Sequence, residues 1–353
     1  MAKFTTSTVL RLLKREYFPH LDKNTQVEIH QFNEGYMNTC LKLQITNDRK
    51  QTQKFIAIIY NINRYSSTES QRHLESAYKA AQILAQNEIP ARTPILNTKK
   101  RPLTKIRLYT TGPEHIFGLY NYLPGKTLPW EGWTRRHLRA LGMGMARIHR
   151  TWESVNPEDF SLPKWNSYLN KDSQRLLTYF CKNQTTITQK LGLEFKFGAI
   201  ESLIKSIDIE EGYQIVHYDL VRGNVLFSKR KQELVYPITG IIDFEKTMIA
   251  PTSIDLARTL SFLLVDCKYK KDFEIQRYFL HEGYIASGQA KPTTVEALRT
   301  FMIYFWLRDL WKFLSSNPYE DLKKNYHYNA TVKRLTSHHI LNETTRNPQG
   351  ATH

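Results

Sequence analysis

The chain has 353 residues, 41% of them apolar and 12% aromatic, which is enough to bury a large core and too hydrophobic for a disordered chain. Fifty Lys and Arg against 33 Asp and Glu leave a net charge of +17, but these residues are scattered, with only short clusters such as 99–101 and 229–231. No zinc-finger spacing, leucine heptad or RNA-binding aromatic motif accompanies them, so they read as a solvated basic surface, not a nucleic-acid site. The opening MAKFTTSTVLRLLKREYF lacks the apolar core of a signal peptide, and runs such as 56–60 and 260–265 are too short to cross a bilayer. A cytoplasmic protein without a transmembrane segment is expected. Cys40, Cys181 and Cys267 form no C-x-x-C pair and are expected to be small buried residues.

Thr6 or Ser7 is placed to cap a first helix with Val9, Leu10, Leu12 and Leu13 on its apolar face. Strands at 27–32, 41–45 and 54–60 follow, and the loop between the first two contains Gly35. Residues 70–87 carry Leu74, Ala77, Ala81 and Leu84 at helical spacing until Pro90 and Pro94 intervene. Strands at 106–110 and 116–122 complete an antiparallel, β-rich lobe over residues 1–122. Leu123-Pro124-Gly125 is a natural connection to a larger, mainly helical lobe over 123–341. Its helices are expected at 136–149 (despite two glycines), 172–191, 198–207, 253–265 and 295–315, with short strands at 214–217, 224–227 and 238–243. The polar residues 342–353 read as a disordered tail. Strands gathered in one lobe and helices in the other make the chain α+β, not alternating βαβ.

The chemistry is concentrated in Ile215-Val216-His217-Tyr218-Asp219-Leu220-Val221-Arg222-Gly223-Asn224-Val225-Leu226-Phe227. An apolar strand delivers His-x-Asp, four residues turn, and Asn224 leads into a second apolar strand. About nineteen residues later, Gly240-Ile241-Ile242-Asp243-Phe244-Glu245 again ends an apolar run on a carboxylate. Phosphoryl transfer uses these residue types: a carboxylate to orient and deprotonate the attacking hydroxyl, and an amide oxygen with a second carboxylate to hold Mg²⁺ against phosphates.

His-x-Asp-x-x-x-x-Asn, Ile-Asp-Phe-Glu and the later Asp255-Leu256-Ala257 together resemble the motifs of the aminoglycoside phosphotransferase and choline kinase-like superfamily, relatives of the protein kinases. The resemblance spans roughly residues 8–320 and implies a two-lobed protein kinase-like fold that uses ATP and Mg²⁺ to phosphorylate a hydroxyl of a small-molecule acceptor. It implies Asp219 as catalytic base, His217 as an orienting residue, and Asn224 and Asp243 as Mg²⁺ ligands. Asp255 is expected to cap the next helix and brace the loop. Residues 35–39 resemble an abbreviated nucleotide loop, implicating Gly35 and Asn38, and 118–125 resemble the hinge that holds adenine, implicating Tyr122.

One position departs from that pattern. The family places Lys or Arg in the third strand to neutralise phosphates, and Ile58 stands there; its helix glutamate aligns with Ala77 or a neighbour. Losing both partners together avoids a lone buried charge. Lys42, on the second strand, is a candidate substitute, with a plain solvated lysine as the other reading. Tyr304-Phe305-Trp306 reads as core, or as aromatic faces that hold an amine beside Asp309. Two rival functions are a nucleotide-binding pseudokinase or interaction module, and a protein Ser/Thr kinase. The latter lacks its Asp-Phe-Gly and Ala-Pro-Glu segments.

Overall fold

Alternation in the strand Thr39–Thr46 sets the first layer: Leu41, Leu43 and Ile45 are buried, and the residues between them are less so. In this computed structural model, residues 5–21, 24–32, 38–107, 114–207, 212–228, 238–288 and 295–343 are described. Gly35 lies outside them, as do residues 344–353. The chain divides into two compact units, the first made of Met1–Thr127, Glu158–Leu162 and Asn224–Lys246, the second of Leu128–Pro157, Pro163–Gly223 and Thr247–His353.

The first unit is built on an antiparallel sheet of β1 (Gln26–Gln31), β2 (Thr39–Thr46), β3 (Thr52–Tyr60), β4 (Leu103–Arg107) and β5 (Glu114–Asn121), in the order β1-β2-β3-β5-β4. One face packs Leu41, Leu43, Ile45, Phe55, Ala57, Ile59, Phe117 and Leu119 against Val9, Leu12 and Leu13 of helix α1 (Thr6–Glu16). Thr5 caps that helix, one residue before the expected position, by accepting from Thr8 N at 3.3 Å. The opposite face carries Ile56, Ile58, Tyr60 and Tyr120. It receives Tyr78 from helix α2 (Thr68–Gln86), whose ring lies 4.5 Å from that of Tyr120.

The later strands are short: β6 (Leu193–Phe195), β7 (Tyr213–Val216), β8 (Val225–Phe227), β9 (Ile238–Ile241), β10 (Met248–Pro251) and β11 (Leu341–Glu343). They pair two by two, β7 with β10, β6 with β11 and β8 with β9. The β8–β9 pair joins the first unit through an Ala91–Ile241 bridge and a Lys126–Phe227 bridge.

The second unit is mainly helical: α3 (Arg135–Glu153), α4 (Trp165–Leu191), α5 (Phe197–Lys205), α6 (Thr252–Asp266), α7 (Asp272–Ile275), α8 (Val295–Ser316), α9 (Tyr319–Leu322) and α10 (Tyr326–Ser337). Helix α7 continues into π-helical turns over Gln276–Tyr284. Cys267 is buried as expected, whereas Cys40 is only half-buried and Cys181 is exposed, contrary to the expectation for those two. Cys181 sits within the long α4, whose burial touches only one stripe of the helix.

Close packing explains one of the glycines in α3. A Cβ on Gly142 would lie 2.1 Å from the Phe279 carbonyl and 2.8 Å from the Tyr284 nitrogen, both backbone atoms of the π-helical segment. Gly283 on that segment approaches Gly142 Cα at 3.0 Å from its own virtual Cβ. Backbone cannot step aside as a side chain can, so Gly142→Ala is expected to cost about 2–4 kcal/mol. Gly198, within α5, has nothing within 4 Å of its virtual Cβ. Gly198→Ala is therefore expected to be neutral, or to gain up to about 1 kcal/mol. Urea unfolding of the two variants checks the contrast.

Candidate functional site

In the second unit, β7 carries the chain into His217, and a buried carboxylate holds the loop that follows. Asp255, 1% exposed, accepts from the His217 amide at 3.1 Å and the Tyr218 amide at 2.9 Å. His149 Nε2 lies 3.0 Å from the same carboxylate, and its Nδ1 lies 2.8 Å from the Tyr284 hydroxyl. Asp255 therefore braces the loop from inside the first turns of α6, whereas the cap position of that helix belongs to Pro251.

Tyr218 takes a left-handed backbone, φ 64°, which costs a non-glycine residue about 1–3 kcal/mol and is found where surrounding structure enforces it. Its ring is enclosed by those of Trp165, Tyr168 and Phe305 at 5.9, 5.8 and 6.0 Å. The Asp219 amide donates to His217 Nδ1 at 3.3 Å, the Asp219 carbonyl accepts from Val221 N at 2.8 Å, and Thr259 Oγ1 donates to the Leu220 carbonyl at 3.2 Å. The buried Asp219 carboxylate thus stands on a backbone restrained on both sides.

Two buried ion pairs lie in the same unit. Arg258 pairs with Asp309 at 3.1 Å, and Arg308 pairs with Asp172. Burial pushes the Asp309 carboxyl up, and Arg258, Lys312 and Arg308 together more than reverse this, leaving it below the usual range. The Arg258 guanidinium lies 4.0 Å from the Phe262 ring and 5.1 Å from that of Phe305. The alternative amine site beside Asp309 is thus already filled by an internal cation. Tyr304, Phe305 and Trp306 are core, with Trp306 Nε1 donating to the Ser261 carbonyl at 3.1 Å.

In the first unit, Val225 pairs with Ile241, and Ile242 N donates to the Asn224 carbonyl at 3.0 Å. Antiparallel pairing puts the entry to β8 and the exit from β9 at one end, so Asn224 and Asp243 flank the same end of this pair. Asp243, like Tyr218, is left-handed, with φ 62°. Two residues on, Glu245 is clamped: Asn38 Nδ2 donates to it at 2.5 Å, the Tyr65 hydroxyl donates to its other oxygen, and Arg64 lies 3.6 Å away. Asn38 Oδ1 also accepts from Asn61 N at 3.1 Å, tying the loop before β2 to the end of β3. Lys42 lies on the same face of β2 as Cys40, with its ammonium 5.5 Å from the Tyr122 ring.

Ile58 is buried opposite Cys40 on β2 and Gly118 on β5. A Cβ at Gly118 would sit 2.4 Å from the Tyr120 hydroxyl, so glycine makes room for that ring. Next to Ala77, Tyr78 points into this face, and Tyr60 Oη lies 3.0 Å from Tyr78 Oη and 2.6 Å from Tyr120 Oη. Burial pushes all three phenols up. A neutral tyrosine cluster thus occupies the region where the sequence pattern anticipates a Lys–Glu pair. Sequence reasoning missed it, although Tyr78 adjoins the position aligned with the helix glutamate.

The Glu245 carboxyl is raised to about 7, first by burial and then by Asp243, against the Tyr65 hydrogen bond and Arg64, which lower it. A raised carboxyl binds its proton more tightly in the folded chain. Its stabilising contribution is therefore present below the ordinary value of 4.5 and is lost as pH rises through about 7. In metal-free protein, Glu245→Gln is expected to become relatively more stable between pH 5 and pH 8, by at most on the order of 3 kcal/mol. Chemical unfolding with chelator at the two pH values measures the gap; a gap independent of pH would show that Glu245 does not titrate there.

Comparison with known proteins matches the arrangement at the level of family and fold. The sequence fits the model of a family described as "Phosphotransferase enzyme family" over residues 28–280. A search of curated proteins gives no match. Among solved structures, the chain is similar to amicoumacin kinase hAmiN in complex with AMP-PNP, Ca²⁺ and Ami, with 17% identity, 94% of each chain covered and a TM-score of 0.67. It is similar to a microcompartment-associated aminopropanol kinase at 15% identity over 96% of this chain and 100% of that one, TM-score 0.61. Spectinomycin phosphotransferase APH(9)-Ia, in complex with ADP and spectinomycin, gives 17%, 94%, 95% and 0.56 for the same four measures. At such identities the structures speak for the fold alone. The family match takes in β1 to β10, both left-handed carboxylate loops and the Asp255 brace: the chain belongs to the phosphotransferase enzyme family.

Proposed function

We propose that this phosphotransferase moves the γ-phosphoryl group of ATP to a hydroxyl of a small molecule, with Mg²⁺ as the metal. The observation that carries the reading is the pair of left-handed residues, Tyr218 and Asp243, in the two carboxylate-bearing loops. Strain of this kind persists only where neighbouring groups over-determine the backbone, and functional loops are where it collects. The Asp255 brace does this for the first loop, and the β8–β9 pairing does it for the second.

The donor chemistry suits the metal. Asn224 and Asp243 offer an amide oxygen and a carboxylate at one end of a hairpin, the hard oxygen donors that Mg²⁺ takes alongside phosphate oxygens and water. When bound, Mg²⁺ supplies charge neutralisation and orientation of the phosphates. Asp219 orients the acceptor hydroxyl and takes its proton, and His217 fixes the Asp219 backbone through the bond to its Nδ1. Asn38, Lys42 and Tyr122 belong to the nucleotide side, together with the loop that contains Gly35. The nucleotides held by the amicoumacin kinase and the spectinomycin phosphotransferase structures support ATP as donor here.

Transfer from ATP across a panel of amino alcohols, sugars and antibiotics tests the reading, and absence of transfer to every member of a broad panel would count against it. Asp219→Asn is expected to lower kcat by about 10²–10⁴-fold with ATP affinity largely spared. Asp243→Ala is expected to impair both ATP affinity and Mg²⁺ dependence, and calorimetry alongside turnover separates the two outcomes.

The acceptor is not expected to be a polycation. A ligand with several ammonium groups needs carboxylates to meet them, and Asp172 and Asp309, buried in the helical unit, are already paired with Arg308 and Arg258. Kanamycin-type compounds should therefore show kcat/KM at least about tenfold below that of a neutral or singly charged hydroxyl acceptor, a difference of about 1.4 kcal/mol in transition-state binding. A low KM for kanamycin with efficient turnover would overturn this.

A further inference from the structure

Within the first unit, the sheet face that carries Cys40 and Ile58 lacks the expected basic residue on β3, and a different arginine arrives beside it. The segment after α2 runs parallel to β9: Ala91 bridges Ile241, Ile241 N donates to the Pro90 carbonyl at 2.7 Å, and Arg92 N donates to the Ile241 carbonyl at 2.9 Å. This pins the Arg92 backbone next to Ile241, the last residue of β9, two residues before Asp243. Arg92 is half-buried, and its Nε is sealed from solvent without a hydrogen-bond partner. Among the described residues, Arg92 makes no ion pair and no side-chain hydrogen bond.

Its surroundings locate the guanidinium. The groups that act on it electrostatically are Tyr78, Cys40, Tyr60 and Asp243. Cys40, which faces Ile58 across the β2–β3 ladder, has Arg92, Glu245 and Asp243 as its charged neighbours. Arg92 thus has Cys40 and Asp243 as electrostatic neighbours, and its backbone is fixed to Ile241, two residues before the proposed metal carboxylate. Burial pulls its guanidinium below the usual range. A cation partly withdrawn from water, with Nε sealed and no paired carboxylate, is costly, and an anionic ligand would relieve that cost. Lys42 lies on the same face, but its ammonium is over the Tyr122 ring.

We propose that Arg92 is the phosphate-binding cation of the nucleotide site, replacing from the α2–β4 segment the basic residue that Ile58 displaces from β3. The inference rests on the nucleotide reading above and adds a specific residue to it. A guanidinium suits the task because its planar fork donates two parallel hydrogen bonds to phosphate oxygens.

Calorimetric titration of the full chain with Mg·ATP, Mg·ADP and adenosine tests the assignment. Arg92→Met, close in volume, is expected to weaken ATP at least tenfold and ADP less, with adenosine affinity unchanged; Arg92→Lys recovers part of the loss. Lys42→Met, beside Tyr122, is expected to affect ATP and adenosine alike. Arg92→Gln serves as the second variant should Arg92→Met not fold, and thermal unfolding without nucleotide confirms that each variant is intact. Tight ATP binding by the parent chain with equal affinity in the Arg92 variants would overturn the role of Arg92 and leave the nucleotide site standing. Equal weakening of ATP and adenosine would also overturn it, because that marks general damage to the site. No nucleotide binding by the parent chain would remove the nucleotide reading itself, and this inference with it.

Discussion

The Asp255 carboxylate organises the loop on which the proposed catalytic base stands. A buried carboxylate needs donors, and this one takes two consecutive backbone amides, from His217 and Tyr218, together with the His149 imidazole. Consecutive amides can point at one acceptor only if the backbone between them bends sharply, and Tyr218 is left-handed accordingly. That bend turns the chain so that Asp219 leaves β7 in its own direction, with its amide held by His217. The electrostatic requirement of one buried group is thereby converted into the direction of another.

The first unit solves a different problem with neutral groups. A Lys–Glu pair in the sheet face would need mutual neutralisation in a low-dielectric setting. Here the hydroxyls of Tyr60, Tyr78 and Tyr120 satisfy one another, and Gly118 gives up its side chain to seat the third ring. Charge is retained at the margin of that cluster, on Arg92, Asp243 and Glu245. Glu245 is divided among Asn38, Tyr65 and Arg64, so two separate segments of the chain meet on one carboxylate. Loss of the β3 base is thus accompanied by a rebuilt surrounding, not by a hole in the core.

Buried charge in the helical unit follows the ordinary rule that each cation finds a carboxylate. Arg258 with Asp309 and Arg308 with Asp172 tie α6, α8 and α4 together, and aromatic rings cover both guanidinium planes. The aromatic run on α8 suggested a cage for an external amine. The cage is real in its chemistry, but its guest is Arg258.

Residues 215–227 and 240–245 pointed to the proposed site directly, because the chemistry of phosphoryl transfer demands particular side chains at short, nearly gap-free spacing. The α+β class was also readable, since two-residue alternation in 41–45 and the short apolar run 55–60 give way to 3.6-residue patterning in the later helices. Caps were less legible: Thr5, one residue before the expected Thr6, and Pro251 ahead of Asp255 depend on where the backbone leaves helical geometry, which neighbouring threonines and serines do not distinguish. Spatial company across long separations was not legible at all. Tyr60 with Tyr120, Asn38 with Glu245 and His149 with Asp255 are 60, 207 and 106 residues apart, and no local period encodes such meetings. By itself, then, the sequence determined the element types and the family motifs from which the reacting groups are proposed, because propensity, periodicity and motif spacing are local properties. Only the tertiary structure decided how Asp255 is shared, that tyrosines fill the place of the ion pair, and that the Arg92 backbone pairs with Ile241. Burial and hydrogen-bond satisfaction are settled by whatever else the folded chain brings within a few ångströms.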